Sequence, residues 1–215
     1  MEWLTVAIAK GRIEKEMNTI FYEIGMDSWI DPGSRKLVFE DHENQIKYIF
    51  VKPVDVVTYV EKGVADLGIV GKDVIEEQEG DIYELLDLQF GKCAFAIAGF
   101  PNSKQFRLKS NIRIATKYPN ITKKYFENHD IEIIPLNGSV ELAPLIGLSD
   151  VIVDLVETGN TLKANGLIVL EEMMQISSKI ICNKVSYRFQ YEKIMEYTSK
   201  ISDGRDRINE NFSKR

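Results

Sequence analysis

Cysteine and histidine are scarce, with two of each in 215 residues. Cys93 and Cys182 form no disulfide framework, and neither they nor His42 and His129 recur at metal-ligand spacing. A zinc site or a histidine-based triad is therefore not expected. Both cysteines lie in apolar runs and read as small buried hydrophobes in a reducing compartment. No apolar run approaches the roughly 18 residues of a membrane span, so no membrane partner is expected. The opening Met1-Glu2-Trp3-Leu4 lacks the basic and then apolar regions of an export signal. These absences point to a cytoplasmic protein. The formal net charge of −6 excludes wholesale nucleic-acid binding, and an anionic substrate would need a local basic patch. No Gly-x-Gly-x-x-Gly is present. Gly68–Asp73 imitates a Walker loop but fails, because Asp66 and Asp73 stand where that motif needs Gly and Ser or Thr.

What remains is ordinary for a globular chain, 44% hydrophobic and 28% charged. The pattern alternates strand and helix. Residues 4–9 read as an apolar strand. Ile13, Met17, Ile20 and Ile24 mark one helix face that Gly25 ends. Strands are predicted at 37–40, 46–51 and 67–70, with helices at 54–62 and 72–78. A long extended stretch, 83–100, suits a crossover between lobes. A second set follows: strands at 112–116, 131–136 and 151–156, helices at 121–128, 140–146 and 162–165. Strands at 167–170 and 179–182 precede a surface helix over 187–201. Residues 202–215 are polar and expected to fray. Interleaved strands and helices argue for an α/β fold: two lobes of mostly parallel sheet with flanking helices around a cleft. The boundaries put 1–91 and 176–215 in a discontinuous lobe I and 92–175 in lobe II.

The richest stretch is 150–161, Asp-Val-Ile-Val-Asp-Leu-Val-Glu-Thr-Gly-Asn-Thr. A buried strand opens into Glu157, Thr158, Gly159, Asn160 and Thr161 before a short helix. Gly lets the backbone come close, while hydroxyls and successive N–H groups donate to a phosphate. Asp154 or Glu157 would accept from sugar hydroxyls. The plainer alternative is a strand-loop-helix with a polar cap. Lys10-Gly11-Arg12 places two cations at a helix start, suited to pyrophosphate or to a charged surface turn. Arg35 and Lys52 are further cations, and Lys52 ends a strand, where ligands gather in open α/β sheets. Gly71, Lys72 and Asp73 form another strand-to-helix turn. Asp73 also suits a first-turn carboxylate complementing the helix dipole. Lys117 and Tyr118 would meet a nucleotide or serve capping and packing. Asn137, with Ser139 and Glu141 behind it, opens a further helix, and Asn137 or Ser139 would cap it.

Several segments occur together in order: Ala-Ile-Ala-Lys-Gly-Arg (7–12), Ser-Arg-Lys-Leu (34–37) and Ala-Asp-Leu-Gly-Ile-Val-Gly-Lys-Asp (65–73). Ile-Ala-Thr-Lys-Tyr-Pro-Asn (114–120), Leu-Asn-Gly-Ser-Val-Glu-Leu-Ala-Pro (136–144) and the 154–161 loop follow. With these the chain resembles the short form of ATP phosphoribosyltransferase, the first enzyme of histidine biosynthesis. Ala9, Lys52 and Ala94 depart from it, standing where the family often has Pro, Arg and Arg.

The resemblance implies a bilobal fold similar to type II periplasmic binding proteins. It implies transfer of 5-phosphoribosyl from 5-phosphoribosyl 1-pyrophosphate (PRPP) to N1 of the adenine of ATP, with pyrophosphate leaving and Mg²⁺ held mainly by substrate. Glu157, Thr158, Gly159, Asn160 and Thr161 would then take the 5-phosphate, with Asp154 near the ribose. Lys10, Arg12, Arg35 and Lys52 would act as catalytic cations. Gly11, Gly71, Lys72, Asp73, Lys117, Asn137 and Glu141 would meet nucleotide or pyrophosphate. The short form further implies a histidyl-tRNA synthetase-like regulatory subunit in a hetero-oligomer, with self-association. The rival class is a binding module on the same architecture. Other phosphoribosyltransferases are a closer rival. They carry adjacent acidic residues before the phosphate loop, where this chain reads Asp154-Leu155-Val156-Glu157.

Overall fold

Strand β1 (Leu4–Ala9) is buried along nearly its whole length, as a central parallel strand must be. It leads into α1 (Arg12–Ile24), whose buried face is Met17, Ile20 and Phe21. Strands β2 (Val38–Asp41) and β3 (Ile46–Val51) form a hairpin, and a 3₁₀ turn (Pro53–Asp55) precedes α2 (Val56–Glu61). Then come β4 (Leu67–Gly71), α3 (Lys72–Gln78), β5 (Ile82–Asp87) and β6 (Cys93–Gly99). A 3₁₀ stretch (Pro101–Leu108) follows, then β7 (Ile112–Thr116), α4 (Pro119–Tyr125), β8 (Ile131–Pro135) and α5 (Leu142–Leu145). The chain continues through β9 (Val151–Val156), α6 (Asn160–Ala164), β10 (Ile168–Ile176) and β11 (Ser178–Asn183). It closes with α7 (Lys184–Phe189) and α8 (Tyr191–Ser213). This computed structural model describes residues 3–29 and 34–213.

Two units result, Met1–Gly91 with Ser177–Arg215, and Lys92–Ile176. Ile176, assigned by sequence to lobe I, belongs to the second unit because it completes β10 opposite Cys93. The first unit holds a six-stranded sheet of order β2-β3-β1-β4-β11-β5. Its centre, β3-β1-β4, is parallel, and the other ladders are antiparallel. The second unit holds a five-stranded sheet of order β10-β6-β9-β7-β8. There β9, β7 and β8 run parallel, while β6 and β10 run antiparallel to their neighbours. Both sheets are therefore mixed, with parallel ladders at the centre of the first and along one half of the second, out to edge strand β8. Each unit packs both sheet faces: Leu4, Ile8 and Phe21 on one side of the first and Val57, Val60 and Ile75 on the other. In the second, Phe95, Ile114 and Phe126 oppose Ala98, Ala115 and Ile152.

Three elements differ from the sequence reading. The predicted helix 140–146 shrinks to the four residues of α5. The predicted helix 187–201 is two helices broken at Gln190, and the second continues to Ser213 instead of fraying. Its continuation is held by Ile201, fully buried, and by Ile208, which packs on the same core. Gly204 lies on this face. A Cβ there would stand 2.6 Å from Ile24 Cγ2 and 3.0 Å from Ile20 Cγ2, so α8 crosses α1 too closely for a side chain. The expected result for Gly204→Val is overpacking that costs about 1–3 kcal/mol. Thermal melting checks this, and an unchanged midpoint would refute so close a crossing.

Candidate functional site

In open sheets with a parallel centre, ligand groups gather beyond the carboxyl ends of the strands. In the first unit, β1 ends into Lys10-Gly11-Arg12, β3 into Lys52 and β4 into Gly71-Lys72-Asp73. The Lys10 N–H donates to Val51 O at 2.9 Å, which binds the exits of β1 and β3 together. Lys10, Arg12 and Lys52 are exposed, as is Arg35, which precedes β2 on the far side of β3. Gly11 has φ +99°, a conformation that side chains resist, and forms the N-cap of α1. Its N–H is held by the Glu14 carboxylate at 3.1 Å. Lys72 is already engaged: it pairs with Glu76 at 2.8 Å and with Glu84 at 2.5 Å. Burial works to lower its pKa, but the two carboxylates outweigh this and raise it. Asp73 sits in the first turn of α3, with Gly71 as its N-cap.

In the second unit, β7 leads to Lys117, β8 leads to Asn137 and β9 opens into the Glu157–Thr161 loop. Gly159, at φ +69°, is the N-cap of α6. That helix has only five residues. Thr158 Oγ1 accepts from the Asn160 N–H at 3.4 Å, and Thr161 O accepts from Asn165 Nδ2 at 2.9 Å. A cavity of about 230 Å³ is lined by Glu141, Asp154 and the whole loop from Glu157 to Thr161. The structure thus brings the predicted loop, Asp154 and Glu141 into one concavity. Lys117 is near enough to act on Asp154 electrostatically. Burial raises the Asp154 pKa above its ordinary value and nearby Glu141 adds to this, with the Leu155 N–H and Lys117 opposing.

A larger cavity, about 460 Å³, lies against the other side of the same loop. Ala94 and Ala96 line it together with Lys92, Lys163 and Glu172. Ala94 is therefore a wall residue of this cavity. Among the described residues no three His, Cys, Asp or Glu side chains gather as a metal cage. Likewise, no described helix is long and apolar enough to cross a membrane. Sequence reasoning missed Thr116, a fully buried polar residue at the exit of β7. Its only local signal was a polar residue closing an apolar strand before Lys117.

A family model described as ATP phosphoribosyltransferase (HisG) matches residues 52–203. The chain belongs to the ATP phosphoribosyltransferase family. An ATP phosphoribosyltransferase of Clostridioides difficile (strain 630) is 62% identical over 196 residues, covering 90% of this chain and 94% of that relative. The ATP phosphoribosyl transferase of the HisG:HisZ complex from Thermotoga maritima is 37% identical, with a TM-score of 0.83 over 95% of this chain and 99% of that one. The periplasmic aliphatic sulphonate binding protein SsuA of Escherichia coli shares the fold alone, at 12% identity and TM-score 0.61, covering 100% and 72% of the two chains. ATP phosphoribosyltransferase is a pentosyltransferase of the first step of histidine biosynthesis.

The Asp154 shift has a consequence for stability. Its folded pKa lies above the ordinary 3.8, so the stabilisation from keeping its proton is complete below 3.8 and is lost as pH rises through the folded value. At neutral pH the fold carries a desolvated carboxylate. Asp154→Asn is expected to raise the melting temperature at pH 7, with the gain closing as pH falls through the folded value and gone below 3.8. A variant less stable than wild type at pH 7 would contradict this.

Proposed function

We propose that this chain transfers the 5-phosphoribosyl group of PRPP to N1 of the adenine of ATP, with the 5-phosphate held in the Glu157–Thr161 loop. The observation that carries the reading is the single concavity containing that loop, Asp154 and Glu141 at the exit of β9. Thr158 and Thr161 offer hydroxyls to the phosphate, while Gly159 and Asn160 offer backbone N–H groups. Asp154 accepts from a ribose hydroxyl. As pyrophosphate leaves C1, the ribose gains oxocarbenium character, which a nearby carboxylate favours. The adenine N1 lone pair forms the new bond to C1 as the bond to the pyrophosphate oxygen breaks. The electron pair of that bond departs with the pyrophosphate.

Lys10, Arg12, Arg35 and Lys52 serve as the cations for pyrophosphate and the ATP phosphates, with Lys117, Asn137 and Glu141 beside the nucleotide. The exposure of Lys10 and Lys52 at neighbouring strand exits supports this assignment. Gly11, Gly71 and Asp73 shape the turns there, and Lys72, paired with Glu76 and Glu84, would have to exchange those partners to meet a phosphate. Mg²⁺ fits a site of this kind, because a hard ion that keeps substrate oxygens and waters needs few protein carboxylates. Glu141, Asp154 and Glu157 are the carboxylates nearest to hand. Bound Mg²⁺ would neutralise phosphate charge as the leaving group departs.

The reaction belongs in the cytoplasm, where PRPP and ATP are made. The assembly of the Thermotoga maritima relative as a HisG:HisZ complex supports a histidyl-tRNA synthetase-like regulatory partner for this chain as well. Mixing the purified chain with ATP, PRPP and Mg²⁺, with and without that partner, tests the reading. The expected outcome is an ultraviolet absorbance change of N1-substituted adenine that needs both substrates and grows with the partner. The chain alone is expected to be weak and indifferent to histidine. Thr158→Val and Thr161→Val should each weaken PRPP binding about tenfold or more, as loss of a hydrogen bond to a charged group does. No product in either mixture, with tight binding of one nucleotide, would establish a binding module instead. Strong histidine inhibition of the chain alone would overturn the separate regulatory subunit.

A further inference from the structure

Thr116 is the last residue of β7 and is fully buried. Its pairing opposite Val153 of β9 and opposite Pro135 of β8 is the last in both ladders. Beyond it the three parallel strands separate. Separation leaves backbone groups without ladder partners in a buried place, where each needs another partner. Thr116 supplies these partners itself. Its hydroxyl donates to Val153 O at 2.8 Å. The same oxygen accepts from the Tyr118 N–H at 2.9 Å. Its carbonyl accepts from the Leu136 N–H at 2.9 Å, just past Pro135, which has no N–H to give.

Each bonded group adjoins a residue of the substrate site. Val153 precedes Asp154, Tyr118 follows Lys117, and Leu136 precedes Asn137. We infer that Thr116 is a positioning residue: through one hydroxyl and one carbonyl it fixes the exits of β7, β8 and β9 and so sets the places of Lys117, Asn137 and Asp154. This rests on the reading of those three as substrate groups. Thr116 touches no substrate itself. Its hydroxyl holds two of the three exits, so a side chain of the same shape without the hydroxyl would lose both hydrogen bonds at once.

Thr116→Val and Thr116→Ser test this against wild type, with PRPP affinity measured by calorimetry at a temperature where each variant is folded. Valine keeps the shape and loses the hydroxyl, and serine keeps the hydroxyl. Thr116→Val should bind PRPP roughly ten- to a hundredfold more weakly, the scale of an ångström-sized misplacement. Thr116→Ser should restore binding to within a few-fold of wild type, which a packing role for the methyl group would not do. A folded Thr116→Val with unchanged PRPP affinity overturns the inference. Should the valine variant not fold, amide exchange in the wild type decides. The Tyr118 N–H should be protected as strongly as the Leu136 N–H, and rapid exchange at Tyr118 overturns the clamp. Failure of wild type to bind PRPP would strike the functional reading instead, and the exchange measurement would still report on Thr116.

Discussion

The first unit is assembled from two stretches of chain, and Asp66 is where they are fastened. Its carboxylate accepts from the Thr5 N–H at 2.8 Å, from Ser186 Oγ at 2.6 Å and from Gln190 Nε2 at 3.1 Å. Its backbone N–H donates to Thr5 O, and its carbonyl accepts from the Asn183 N–H, both at 2.9 Å. One residue at the entry of β4 thus holds the entry of β1, the end of β11 and the start of α7. Asn183 completes the joint. Its side chain donates to Val60 O at 2.8 Å and caps α7 by accepting from Val185 and Ser186. Hydrogen bonds to an ionised group contribute about 1.5–3 kcal/mol each, so such a joint can outweigh the entropy of recalling a distant segment. It adds to the ladders that hold β11 between β4 and β5 and ties the start of α7 to the same sheet.

The second unit has its own electrostatic clamp, away from the phosphate loop. Asp150, just before β9, accepts from the Arg113 N–H at 2.9 Å, from Arg113 Nη2 at 3.0 Å and from Lys109 Nζ at 2.8 Å. Burial would raise its pKa, but Arg113 and Lys109 prevail and push it down to about 2. Asp154, four residues on, moves the opposite way. The two carboxylates bracket one strand, and their surroundings set opposite tendencies. Asp150 at the entry is matched to two cations and serves the fold. Asp154 at the exit is under-compensated, which leaves it ready for a ligand that brings its own donors.

This division also accounts for what could be read from the sequence. Strand-to-helix turns such as 10–12, 71–73 and 157–161 carry local signals: an apolar run, a glycine, then polar residues. Their places at strand exits follow from periodicity alone. Asp66 carries no such signal, because its partners lie far off in sequence, and Asn183 shows locally only its cap of α7, not its bond to Val60. Lys72 reads as a free cation until β5 brings Glu84 beside it. The last turns of α8 read as polar because only Ile208 and the notch at Gly204 mark the face that meets α1. Pro144 sits buried in α5 and helps to explain why so short a helix forms there. What was legible was set by neighbours in the chain, and what was missed was set by contacts made only on folding.

The two polar joints differ in chemistry. Half-buried Asp66 stands at the entry of the first unit's parallel strands, and fully buried Thr116 at the exit of the second unit's. An ionised carboxylate only accepts, which suits Asp66, where the partners are donors: Thr5 N–H, Ser186 Oγ and Gln190 Nε2. At the exit of β7 one partner is a carbonyl and the other an N–H, so the joint must both donate and accept. A hydroxyl does this with a single atom, and a carboxylate cannot. Charge argues the same way. An anion at Thr116 would stand against the strand that carries Asp154, whose pKa burial and Glu141 already raise. A further like charge would drive Asp154 toward its neutral form. On the proposed reading that would weaken it as an acceptor for sugar hydroxyls and as a support for positive charge at C1. The neutral hydroxyl joins β7 to β9 without adding charge beside Asp154.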